Sequence, residues 1–407
     1  MMVDKSKWKI YRFEEFAQNI SQRVDPKSTD LSIFVGLEHI DPDCLHIKQY
    51  GYPSDVEGTK LKFYKGDVIF GKRRAYLRKT ALAEYDGICS AHAMVLRAKT
   101  DVIDEKFFPF LFQSKIFQAC AIDISVGGLS PTINWKDIAK QEFLLPPKKE
   151  QARLAELLWA ADEVVEREKE VKERLDNAYK SFVFSIMNGE YNSIKKKLIT
   201  MYSPYQTKKI QKKVPDNWNI YCLADIMLKT QSGFAEGQRD DEGIIQLRMN
   251  NVTKDCRFDK TAITRVPINK IAKTYYIETG DVLFNNTNSP ELVGKSVIFE
   301  KINEPMVFSN HFTKLCPNSN FLTNRFLYLW LVYNYSIGLF ERRCIRWVGQ
   351  AAVQAENLLS LHILVPSLSD QKDIEIITKN IEYNIEDITK QIDRSQQLKS
   401  VLINKIF

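Results

Sequence analysis

The strongest constraint on this chain is that it says most of what it says twice. Trp8-Lys9-Ile10-Tyr11 returns as Trp218-Asn219-Ile220-Tyr221, and Gly66-Asp67-Val68 returns as Gly280-Asp281-Val282. Ser90-Ala91-His92 returns as Ser309-Asn310-His311, Val126-Gly127 as Val348-Gly349, and Pro146 and Gln151 as Pro366 and Gln371. The matches keep one order at offsets between 210 and 222, so short loop gaps account for the drift. Such a repeat dictates two copies of one scaffold.

Each copy divides alike. Short β-rich runs come first ("LSIFVGL", "GDVIF", "AMVLRA"; then "IIQLRM", "GDVLF", "KSVIF"), followed by an apolar helical stretch and a proline step. Beyond the proline the period changes. Positions 154, 158, 161, 165, 168, 172, 175, 179, 182 and 186 alternate by four and three and are mostly apolar, with charge between them. The second copy supplies Ile374, Ile377, Ile381, Ile385, Ile388 and Ile392, then Leu402 and Ile406. A helix of about 40 residues is roughly 55–60 Å long. One such amphipathic helix has no core of its own, but two can bury their seams together. The expected class is therefore α+β: two similar globular α/β domains joined by two long helices packed as an antiparallel coiled coil, related by a pseudo-two-fold internal repeat. The competing arrangement packs each helix on its own domain. Boundaries fall at 1–147 for the first domain, 148–188 for the central helix, 189–213 for a lysine-rich linker, 214–368 for the second domain and 369–407 for the C-terminal helix.

Charge needs care. The net +7 is tempting evidence for nucleic acid, yet 189–213 alone carries seven lysines against one glutamate. Any basic surface elsewhere must come from clustering. The longest uncharged apolar-rich run, 326–340, is too short to span a bilayer, and the first ten residues lack a secretory apolar core. Seven scattered cysteines without a CxxC pair read as reduced thiols, so a cytoplasmic protein without membrane attachment is expected.

Catalytic signatures are missing: no GxxxxGK[ST], no GxGxxG after a strand, no [DNS]PP[YF] tetrapeptide. A nuclease reading of Pro215-Asp216 with Glu170 to Lys172 has the wrong order. Cys44/His46 and Cys89/His92 lack the four close ligands of a zinc site. The repeated Ser90/His92 and Ser309/His311 have no recurring acidic third member and read as framework. No catalytic or metal-ligating residue is expected.

Recognition remains. After the first "GDVIF" come Lys72, Arg73, Arg74, Arg78 and Lys79; after the second come Asn286, Asn288 and Lys295, with Arg343 and Arg346 later. Lysine and arginine suit phosphates and guanine, asparagine suits adenine. The expected DNA-binding set is Lys72, Arg73, Arg74, Arg78, Asn286, Asn288, Lys295, Arg343 and Arg346.

The twice-used W-x-I-Y start, the GDV[IL]F strand, and "LLPPKKEQARLAELL" with its partner "LVPSLSDQKDIEII" resemble the specificity subunit of type I restriction–modification enzymes along essentially the whole chain. The resemblance implies a non-catalytic subunit whose domains 1–147 and 214–368 are target-recognition domains. Each would read one half of a split double-stranded DNA sequence, with the helices as a ruler between the halves. It implies two adenine-N6 methyltransferase (modification) subunits and restriction/translocase subunits as partners. S-adenosylmethionine, ATP and Mg2+ are then expected on those partners, with no cofactor in this chain. An autonomous DNA-binding or scaffold protein that homodimerises through the same heptads is the alternative.

Overall fold

The structure is a computed structural model that describes residues 4–191, 195–203, 205–268 and 275–407. Parts of the segments read as 1–147, 189–213 and 214–368 therefore lie outside the described residues. The chain forms two compact units, Met1–Lys172 with Asp387–Phe407, and Glu173–Glu386.

The repeat reappears as topology. In the first unit Ala17–Ile20, Ala93–Ala98, Val68–Gly71 and Thr80–Leu82 form one antiparallel sheet. In the second, Met227–Ser232, Phe312–Pro317, Val282–Asn285 and Ser296–Ile298 form the same sheet in the same order. A smaller sheet accompanies each and contains one parallel pair: Phe34–Val35 beside Gly87–Cys89, and Ile244–Leu247 beside Met306–Phe308. A third ladder closes each copy, Lys9–Arg12 on Glu142–Leu145 and Asn219–Cys222 on His362–Val365.

The repeated Gly-Asp has a local cause. In Tyr64–Asp67 and Glu278–Asp281 the fourth N–H donates to the first carbonyl at 3.0 Å in both copies. The third position needs positive φ, which Gly66 (+91°) and Gly280 (+95°) supply without a Cβ penalty. The aspartate carboxylate accepts from the first N–H at 2.8 Å in both, locking the turn before the strand. Behind these strands the first unit packs Phe13, Phe16, Phe70, Phe108, Phe112 and Phe117, all fully buried. Edge-to-face rings such as Phe13/Phe16 (5.2 Å) and Phe70/Phe117 (5.4 Å) fill the core.

The proline–glutamine step is also built identically. Gln151, 1% exposed, donates Nε2 to the carbonyls of Pro146 (2.8 Å) and Val102 (3.1 Å) and accepts the Asp104 N–H at 2.7 Å. Gln371, also 1% exposed, donates to Pro366 (2.9 Å) and Phe321 (2.8 Å) and accepts the Thr323 N–H at 2.8 Å. One amide thus satisfies carbonyls at the strand end and a loop N–H while starting the helix.

The helices run Lys148–Met187 and Leu368–Ile406, and they pair antiparallel. In the first unit Lys399 Nζ meets Asp162 Oδ1 at 2.7 Å, and Ser395 donates to Glu168 at 3.1 Å. In the second, Tyr179 donates to Glu382 at 2.6 Å. All ten positions of the expected first seam are buried or half-buried. The second seam differs at one turn: Ile377 is 38% exposed and Thr378 is fully buried, its hydroxyl donating to the Ile374 carbonyl at 2.8 Å. That internal bond lets a polar residue occupy a seam position.

The lysine-rich segment is a β-hairpin where it is described, Lys196–Tyr202 on Lys209–Pro215, rather than an open linker. Alternation splits its lysines, with Lys196, Lys209 and Lys213 on the exposed face and Lys197 and Lys212 on the half-buried one. Gly189 admits the hairpin closely: a Cβ there would come within 2.7 Å of Val214. No described helix is long and apolar enough to cross a membrane.

Candidate nucleic-acid interface

In each unit three chain segments leave their strands at one end and meet there. The parallel neighbours supply two of them, and the strand after Gly-Asp supplies the third. Hydrogen bonds fix the junction equivalently: Ser90 N–H to Val35 (3.1 Å) and Ser309 N–H to Leu247 (3.0 Å); Arg73 N–H to His92 (3.4 Å) and Asn286 N–H to His311 (3.0 Å). The Ser-x-His pairs are framework in this sense, because their backbones tie the loop after the Gly-Asp strand to the sheet.

Around that shared junction the copies diverge. In the first, Gly71 packs tightly, since a Cβ would lie 3.1 Å from the Lys79 carbonyl. The loop then turns through Arg74 and Arg78, both in the left-handed region at φ 56° and 55°. Arg74 is exposed, donates Nε to Ser130 at 3.3 Å, and its N–H meets the Pro131 carbonyl at 2.7 Å. Arg73 is half-buried, pairs with Thr132 across a bridge, and lies 3.2 Å from His92 through its guanidinium. Burial first, and then Arg73 and Lys72, hold the His92 imidazole below its ordinary pKa. Lys72 is half-buried, its carbonyl accepting from Ile133. Arg78 serves the fold instead, bonding Asp43 at 2.7 Å and the Gln113 carbonyl at 3.3 Å. The bordering loop carries Leu129, 96% exposed.

In the second unit the polar groups turn inward. Asn285 is fully buried and donates to the carbonyls of Thr287 (3.0 Å) and His311 (2.8 Å). Asn286 donates to Thr313 at 2.9 Å, and Asn288 to Asn285 at 2.6 Å. Lys295 departs most from expectation. It is 4% exposed, its ammonium held by the carbonyls of Met249 (3.0 Å) and Val252, and burial lowers its pKa. It is an internal strut, not a surface cation. Arg343 is half-buried and braces the hairpin tip through the Gln206 carbonyl at 3.0 Å. Arg346 stays exposed beside Glu341, 3.5 Å away, on the hairpin Ile345–Trp347 with Gln350–Ala352. That hairpin pairs with Thr287–Asn288 and ends in Trp347 and Val348, exposed at 57% and 105%.

A cleft of about 690 Å³ opens beside these groups, lined by Arg248, Asn250, Asn288, Ser309, Asn310 and His311 among others. Arg248 and Asn250 carry no repeat signal, and in sequence nothing marked them. No group of three or more metal-ligating side chains occurs among the described residues.

A family model described as the type I restriction modification DNA specificity domain matches residues 6–177 and again 215–399. The specificity subunit of the Escherichia coli type I restriction enzyme EcoDI is 28% identical over 194 residues, 45% of this chain and 42% of that one. The specificity subunit of MjaIX from Methanocaldococcus jannaschii is 22% identical over 262 residues, 62% of this chain and 54% of that one. The chain spans about half the length of the curated relatives it matches. Among solved structures, one from a study of complex assembly and conformational transition of the type I R-M system covers 100% of this chain and 98% of its own, at 17% identity and TM-score 0.59. The type I S subunit from M. genitalium covers 100% and 98%, at 15% identity and TM-score 0.58. These two likenesses bear on the fold.

Proposed function

The chain belongs to the type I restriction–modification DNA specificity family, and from that premise we propose that it is the sequence-specific DNA-recognition subunit that directs an adenine-N6 methyltransferase to a bipartite target. One observation carries the reading: the family domain occurs twice on one scaffold, and the loops at the equivalent junction differ in chemistry while the junction itself does not. A fixed framework with divergent polar ends is what reading two different half-sites requires.

In this reading Lys72, Arg73 and Arg74 engage DNA from the first unit and Arg346 from the second. Arg78, Lys295 and Arg343 act by holding the loops. Two methyltransferase subunits and restriction/translocase subunits are the partners, and S-adenosylmethionine, ATP and Mg2+ act on them. This chain itself performs no chemistry. The homodimerising alternative loses its support, because the heptad seams are engaged within the chain.

Reconstitution tests the proposal. The purified chain, mixed with a type I adenine-N6 methyltransferase subunit, is expected to convert a subset of a randomised duplex library to N6-methyladenine at one split motif. Methylation by the methyltransferase alone at the same motif would sink the reading.

A further inference from the structure

The second unit holds a site that the basic-cluster logic does not reach. We infer that the cleft at the end of its parallel strand pair takes the edges of DNA bases, with Arg248, Asn310 and His311 as the contacting side chains. This rests on the reading of the chain as a DNA specificity subunit, and it names where the second unit does its reading.

Topology opens the cleft. Strand Ile244–Leu247 is followed by Arg248, and its parallel neighbour Met306–Phe308 by Ser309. The segments that follow these strands, Arg248 to Asn250 and Ser309 to His311, both line the cleft.

Unengaged polar groups lie in the cleft. Asn310 is exposed, and among the described residues its side-chain amide has no internal partner, although its backbone carbonyl accepts from the Asn286 side chain. Arg248 is anchored at two points, Nε on Gln246 (3.1 Å) and Nη2 on the Glu236 carbonyl (3.0 Å). A guanidinium held that way presents its remaining donors in a fixed direction. Ser309 is 5% exposed and lines the cleft, yet its hydroxyl has no hydrogen-bond partner. The matched Ser90 hydroxyl accepts the His92 N–H at 3.2 Å, so the orphan belongs to the second copy alone. A buried hydroxyl left unpaired is costly, and a ligand polar atom would satisfy it.

The chemistry favours bases over phosphates. Affinity for the phosphate backbone comes chiefly from lysine and arginine charge. Here the one lysine on the wall turns its ammonium into backbone carbonyls. Burial, with Arg248 nearby, lowers the His311 pKa, so its ring offers one donor and one acceptor. Guanidinium, amide, imidazole and hydroxyl together match the mixed donor–acceptor edge of a base pair. In the first unit Ala91 stands where Asn310 stands, and Arg73 covers His92. The same corner is furnished differently, as two half-sites demand.

The test compares host methylomes for the intact gene, its deletion, and the triple variant R248A/N310A/H311A. The triple variant is expected to keep methylation of one half of the split motif selective. Preference at one or two base pairs of the other half should fall by about tenfold or more. An unchanged motif overturns the inference and leaves the specificity reading intact. A deletion that changes no motif overturns both. If the triple variant loses all methylation, the single variants R248K and N310D decide: altered preference confined to one half supports the cleft, and a wild-type motif from both refutes it.

Discussion

Replacing Gln151 by Met removes three hydrogen bonds without opening a cavity, because the two side chains have similar length and volume. The lost partners are the carbonyls of Pro146 and Val102 and the N–H of Asp104. Each bond contributes about 0.5–1.5 kcal/mol net, and groups left buried without partners add to the loss. The expected destabilisation is about 2–4 kcal/mol. It should appear as a lower urea midpoint and as faster hydrogen exchange concentrated in 100–112. Gln371→Met should do the same to 318–330, through Pro366, Phe321 and Thr323. The two sites share no partner, so the double variant should lose the sum. A Gln151→Met loss below about 0.5 kcal/mol would refute the claim that this amide is what the repeated proline–glutamine step is for.

Asp162 is 1% exposed; burial raises its pKa, but the His46 hydrogen bond and Lys399 outweigh this and hold it low. Asp162→Ala strands the Lys399 ammonium and should cost about 3–5 kcal/mol by chemical denaturation, most of it recovered by adding Lys399→Met. The Asp162 hydrogen bond raises the His46 pKa above 6.5, so its contribution is complete below that value and lost as pH rises through the raised one. The melting temperature should therefore fall over that window, and H46Q should flatten the slope. Lys295→Met should lower second-unit stability by about 1–3 kcal/mol, by stranding two carbonyls, and leave the salt dependence of DNA binding unchanged. Arg74→Gly should gain about 1 kcal/mol by relieving the left-handed backbone while reducing the salt slope of DNA binding by about one; unchanged salt dependence would remove Arg74 from the interface.

Repetition made the scaffold legible. Gly66 and Gly280, Gln151 and Gln371, and the seam from Leu154 to Ile186 each have a reason that recurs in sequence as it recurs in space. Polar side chains were less readable, because burial decides their role and no local pattern reports it. Lys295 looks like any surface lysine until the loop around Met249 and Val252 closes on it. Ile377 fits the heptad by residue type, yet the turn places Thr378 inward, where a bond to the helix's own carbonyl makes burial tolerable. The segment 189–213 reads as a charged linker because Lys197 and Lys212 stand on the half-buried face and Leu198 on the exposed one, which masks the strand alternation. Arg248 and Asn310 come together only through the parallel pairing of strands about sixty residues apart, which no short motif encodes.

Genome-wide mapping of N6-methyladenine in the host, with and without this gene, bears most directly on the central claim. The account predicts that one split motif loses methylation when the gene is removed and regains it on complementation. A methylome identical in both strains, with an adenine methyltransferase subunit expressed in both, would contradict it.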